Sequence, residues 1–146
     1  MDWNIELVMT LRALFSAALG AVIGYEREGH GGDAGIRTYA AVSLGACIFG
    51  LVSSHIPGTD TARIAAGVVT GVGFLGAGVI LREQRRIAGL TTAATVWATA
   101  SVGLAISFGM YILGTLTAVI IFFLLSLHHL PIWKRLKGKR AKEEGD

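Results

Sequence analysis

Residues 64–81 read IAAGVVTGVGFLGAGVIL, eighteen residues with no charge and five glycines. A soluble helix does not accumulate interior glycine, because each one costs about 1 kcal/mol relative to alanine. Membrane helices use it to let backbones approach closely. The length is near the ~20 residues needed to cross a hydrocarbon core. The stretch therefore reads as a transmembrane helix packed through Gly67, Gly71, Gly73, Gly76 and Gly78. A re-entrant segment is the runner-up.

Working outward, four more apolar runs appear at residues 7–25, 38–54, 90–108 and 110–127, the first interrupted only by Arg12. Turn residues separate them: Gly29 to Gly35, Pro57-Gly58, Gly89 and Gly109. Of the 146 residues, 53% are hydrophobic and only 16% are charged, against about 25% charged in ordinary globular proteins. The runs do not alternate, so a β-barrel is excluded. Backbone groups in lipid must bond within their own segment, which makes helices the default. The expectation is an all-α integral membrane protein of five transmembrane helices: a transmembrane region over residues 1–130 and a basic tail over 131–146. The first run lacks a basic leader and a small-residue cleavage site, so it is expected to stay as an anchor.

Lysine and arginine placement orients the chain. With five spans, one side carries Arg27, Arg37, Arg82, Arg85, Arg86 and the six basic residues of the tail, and the other carries only Arg63. The tail is therefore expected in the cytoplasm, with Trp133 and its basic neighbours resting on anionic lipid, and the amino terminus outside. A nucleic-acid partner is not expected.

The chain also repeats itself. Leu19-Gly20-Ala21 matches Leu75-Gly76-Ala77, Arg27-Glu28 matches Arg82-Glu83, and Ala34-Gly35-Ile36-Arg37-Thr38 matches Ala88-Gly89-Leu90-Thr91-Thr92. Two helical hairpins in the same orientation are expected, as parallel repeats related about the membrane normal, with the fifth helix outside the repeat. Each repeat ends its loop in Ala-Gly and starts a helix with threonine. The starts of the second and fourth helices would then meet, bringing Arg37, Thr38, Thr91 and Thr92 together with Arg27, Arg82 and Glu26 near the rim. Helix N-termini beside an arginine suit an anion, such as a lipid phosphate or a partner's carboxylate. The plainer alternative is that Thr38 and Thr92 cap their helices while Arg37 pairs with Glu26 or Asp33.

Other signals weigh against familiar sites. Gly71-Val72-Gly73-Phe74-Leu75-Gly76 spells a dinucleotide fingerprint, but it lies in a span with no preceding strand and no following acid. It is not a potassium filter either, since its glycine spacing is wrong. His30, His55, His128 and His129 offer no helical metal spacing, and Cys47 is the only cysteine. No cofactor or metal is expected, and no nucleophile–base set suggests an enzyme. Thr91, Thr95 and Thr99 form a polar stripe that suits interhelical packing or a solute path. No carboxylate lies near the middle of a span, which argues against a proton or cation transporter of the usual kind. Arg12, the basic residue well inside a span, either snorkels outward or pairs with Glu6, or it marks a functional contact. The glycine faces are compatible with a homodimer.

Gly24-Tyr25-Glu26-Arg27-Glu28, Ala34-Gly35-Ile36-Arg37-Thr38, Arg63-Ile64-Ala65-Ala66, residues 71–80 and Gly89-Leu90-Thr91-Thr92-Ala93-Ala94-Thr95-Val96-Trp97 resemble the signature blocks of the MgtC/SapB family. The resemblance runs from about Arg12 to Gly109. It implies a non-enzymatic bacterial inner-membrane protein linked to growth in low magnesium and to virulence inside host cells. It further implies a regulator of another membrane protein, for which the family proposal is the F-type ATP synthase; magnesium transport is the older label. Two departures stand out. Longer members carry a soluble domain after the last helix, and some have asparagine at the position of Thr91.

Overall fold

The computed structural model describes residues 2–29, 34–83 and 86–127, without the side chains of 81–83, 86 and 87. Its helices are α1 (Trp3–Gly29), α2 (Ile36–His55), α3 (Thr61–Val79), α4 (Leu90–Ser107) and α5 (Tyr111–Ser126). The first four are long and apolar enough to cross a membrane, and α5 is a shorter apolar helix of 16 residues. The protein is an all-α membrane bundle. α3 is a single unbroken helix, so the re-entrant alternative gives way to the spanning one.

Element ends differ from the hydropathy limits. α1 runs on through Glu26, Arg27 and Glu28, which hydropathy had placed in a loop. Hydropathy stops at the first charges, whereas a helix continues while its hydrogen bonds are met. The segment expected as the loop 82–89 contains a short antiparallel hairpin, β1 (Leu81–Glu83) paired with β2 (Arg86–Ala88). The ladder gives those backbone groups partners where a plain loop would need water. Gly89 (φ 81°) and Gly109 (φ 77°) make the turns into α4 and α5. Both lie in left-handed backbone, which favours glycine.

α4 is the central helix. More than half of its span is buried, against 6% for α3. α1, α2 and α4 pack on one another around Ile23, Tyr39, Cys47, Leu51, Val102 and Ile106. α5 lies against α4 and α1, and α3 leans on α4 and α2 from outside. Large apolar side chains such as Phe74, Ile112 and Leu124 are exposed, as a bundle surrounded by hydrocarbon requires.

Matching contacts occur in the two hairpins. A Cβ on Gly20 would strike the carbonyl of Tyr39, and one on Gly76 would meet the carbonyl of Ala93 at 3.5 Å. In the internal alignment Gly20 corresponds to Gly76, and Tyr39 and Ala93 each follow the matched threonines Thr38 and Thr92. Both glycines thus face the backbone of the next helix near its start. The remaining glycines expected to pack, Gly67, Gly71, Gly73 and Gly78, would carry a Cβ into open space. Within this chain, close packing falls instead to Gly20, Gly24, Gly50, Gly103 and Gly114. The physical reason is placement: α3 is peripheral, so most of its surface meets no neighbour.

Candidate functional site

The loop ends of the two hairpins are joined by side chains. Arg27, in the last turn of α1, donates from Nη2 to Thr92 Oγ1 at 2.9 Å. Three residues further along α4, Thr95 Oγ1 lies 2.6 Å from the Tyr39 hydroxyl. The single Thr95 proton is directed to its own helix, at the carbonyls of Thr91 (2.9 Å) and Thr92 (3.1 Å). Tyr39 is therefore the donor to Thr95. Thr99 continues the pattern, donating to the Thr95 carbonyl at 2.8 Å. Thr95 and Thr99 thus satisfy their hydroxyl protons along α4, and Thr92 and Thr95 offer their oxygens to the first hairpin. Glu26 is buried in the same layer, and Arg27 and Glu26 both act electrostatically on the Tyr39 hydroxyl.

The N-terminus of α2 holds an anion, and the anion comes from the chain itself. Glu28 Oε2 accepts from the backbone N–H of Ile36 at 3.0 Å. The carboxylate sits where the unpaired N–H groups and the positive end of the helix favour it. The caps are Gly35 for α2 and Gly89 for α4, neither with a side-chain hydrogen bond. The plainer alternative of threonine capping therefore fails: Thr38 and Thr92 lie a turn inside their helices.

The residues named from sequence separate into two groups. Arg27 and Thr92 meet, with Glu26 buried near Tyr39. Arg37, Thr38 and Thr91 are exposed, and Arg37 makes no hydrogen bond or ion pair among the described residues. The Arg82 side chain and the basic tail lie outside the described residues. Tyr39 and Glu28 were not singled out by the sequence. A tyrosine one residue past a helix-starting threonine was the available signal for the first. The second had none, because its contact spans eight residues across a loop. Beside this layer, Glu26, Glu28, Tyr25, Ile36, Phe122 and Ser126 line a cavity of about 440 Å3.

At the opposite end, Arg12 is held by protein. Its Nε donates to the Tyr111 hydroxyl at 2.8 Å and its Nη1 to the Ser107 carbonyl at 3.0 Å. The guanidinium also lies 5.6 Å from the centre of the Tyr111 ring, within cation–π range. These are its partners in place of the Glu6 pairing considered from sequence. A positive group at the last carbonyls of α4 is favourable in itself.

The family model for the MgtC family matches residues 13–130. The chain belongs to the MgtC family. The match covers α2 to α5, most of α1 and every residue of the Arg27–Thr92 layer, and begins one residue after Arg12. The putative magnesium transporter YhiD of Escherichia coli K12 is 42% identical over 129 residues, covering 82% of this chain and 60% of that protein. Protein MgtC of Salmonella choleraesuis is 39% identical over 136 residues, covering 93% of this chain and 58% of its own length. Protein SrpB of Synechococcus elongatus is 37% identical, covering 98% of this chain and 84% of that protein. The chain thus spans about three fifths of the first two MgtC-family relatives. None of the three has an enzyme's name. No solved structure matches the chain.

Proposed function

We propose that this chain is a non-enzymatic member of the bacterial inner membrane that works by binding another membrane protein. In this reading the amino terminus is outside and the basic tail lies on anionic lipid at the cytoplasmic face. The supporting observation is the closed axis of the bundle. Ser16 Oγ donates to the Ser43 carbonyl at 2.9 Å, Gly103 rests on that same carbonyl, and Gly50 rests on Ser107. These contacts leave no gap where α2 and α4 cross. Among the groups exposed at the loop end, beside the Glu28 carboxylate on the start of α2, are Arg37, Thr38 and Thr91, a cation and two hydroxyls suited to a partner's carboxylate or a lipid phosphate. The F-type ATP synthase is the candidate partner that the family resemblance supplies, in adaptation to low magnesium or intracellular growth.

The second reading is transport of magnesium or another small solute. It is favoured by the name of the Escherichia coli relative and by the cavity that Glu26 and Glu28 share. Proteoliposomes loaded with a magnesium-sensitive dye separate the two. The expected result is flux no greater than in empty liposomes; protein-dependent flux would overturn the regulator reading. In parallel, Arg37→Ala is expected to lose capture of a membrane partner at unchanged thermal stability. Equal capture removes Arg37 from the site.

A further inference from the structure

An open apolar cavity lies between α2 and α3. It is about 580 Å3 and is walled by Ala41, Gly45 and Phe49 of α2 and by Gly67 and Gly71 of α3. A Cβ on Gly45, Gly67 or Gly71 would meet nothing within 4 Å. The two walls of small residues therefore stand apart. The slot runs along the helices from Arg63 to Leu75, about 18 Å at 1.5 Å per residue. The slot is apolar along this length and suits an extended hydrocarbon chain.

One end of this slot is charged and the rest is not. Arg63 is its only polar lining residue among the described residues and sits in the first turn of α3, at the level where a spanning helix leaves the hydrocarbon. It makes no hydrogen bond or ion pair among the described residues. The neighbouring acid, Asp60, is already engaged, accepting from the N–H groups of Ala62 (3.0 Å) and Arg63 (3.2 Å) as the cap of α3. A guanidinium at a headgroup level above an apolar slot reproduces the order of groups in a phospholipid.

We infer that the α2–α3 groove binds one anionic phospholipid, its acyl chain against Gly67 and Gly71 and its phosphate on Arg63. The charge complementarity selects an anionic lipid: a cation stands at one end of an otherwise apolar slot. The Arg63 end of the slot lies away from the Arg27–Thr92 layer, and none of that layer's side chains lines it, so the proposal stands independently of the regulator reading.

Tryptophan quenching tests it in the full chain. Trp3, Trp97 and Trp133 are replaced by phenylalanine, and Phe49→Trp reports the groove. Phe74→Trp, on an exposed face of α3 outside the slot, is the control. Vesicles of phosphatidylcholine contain a minority of brominated phosphatidylglycerol or brominated phosphatidylcholine. The expected result is about fivefold preference for phosphatidylglycerol at position 49 and none at position 74. Arg63→Gln should abolish the preference. Gly67→Leu with Gly71→Leu, which fills the open slot, should do the same. Equal preference at the two positions, or a preference that survives Arg63→Gln, overturns the proposal. So does loss of quenching by both lipids at position 49 with cross-linking of the groove to another protein, since a helix would then occupy it. If the double variant fails to fold, the Arg63→Gln arm still decides.

Discussion

Arg27 enters the bundle from the last turn of α1 and spends one guanidinium nitrogen on Thr92, while its Nε is buried with no hydrogen-bond partner among the described residues. Its accounts are already tight, so losing the Thr92 oxygen should cost more than losing an ordinary hydrogen bond. Thr92→Val is expected to destabilise by about 1–3 kcal/mol, the cost of stranding a buried donor. Tyr39→Phe removes a hydroxyl, but Thr95 keeps its bonds along α4. The expected loss is about 0.6–1 kcal/mol, as for interhelical hydrogen bonds in membranes. Unfolding in micelles compares the two variants, and a Thr92→Val cost no larger than that of Tyr39→Phe would remove Arg27 as the tie between hairpins. At the other end, Arg12→Leu strips both the Ser107 carbonyl and Tyr111 of their donor. It should destabilise by about 1–3 kcal/mol, with Arg12→Lys intermediate because a lysine cannot hold two partners in the same fork.

Among the helices, the division lies between those that carry the core and α3, which does not. Gly103 of α4 lies on the Ser43 carbonyl, and that backbone cannot step aside. Gly103→Ala should therefore destabilise by about 1–3 kcal/mol or more through overpacking. Gly71→Ala points into open space and should be neutral or gain up to about 1 kcal/mol from helix propensity. The reverse order, measured by thermal or denaturant unfolding, would show that α3 packs tightly and α4 does not. Sequence could not rank these two positions, because both are glycines within apolar runs. What distinguishes them is the identity of the surface each one faces.

For the whole molecule, helix lengths set the fit to the bilayer. α4 and α5, at 18 and 16 residues, are about 27 and 24 Å long, slightly under a 30 Å hydrocarbon core. α1 has 27 residues and is about 40 Å long. Arg12, nine residues into it, is level with the α4–α5 turn, so the first turns of α1 extend beyond that layer and Trp3 is left exposed at the tip. A short bundle is accommodated by local thinning or by snorkelling arginines. The topology follows a direct test. In a Cys47→Ala background, cysteines at Gly31 and Lys139 should react only with reagent that reaches the cytoplasm, and one at Thr59 should react from outside. Labelling of Gly31 in intact cells from outside would invert the arrangement.

By itself the sequence determined that the chain is an apolar helical bundle, where its helices and turn glycines lie, that short blocks recur in the same order, and which family it belongs to. These are readable because the bilayer demands length and hydropathy of each segment separately, and repeated blocks keep their order along the chain. Part of the loop-end site was legible in the same way, since Arg27 and Thr92 stand in matching blocks. Only the tertiary structure decided which glycines pack, that Glu28 rather than an outside anion sits on α2, that Tyr39 reaches Thr95, and that Arg37 is left exposed. Each of those depends on the rotation of one helix against another, and a residue's position in a run does not state which face will meet a neighbour.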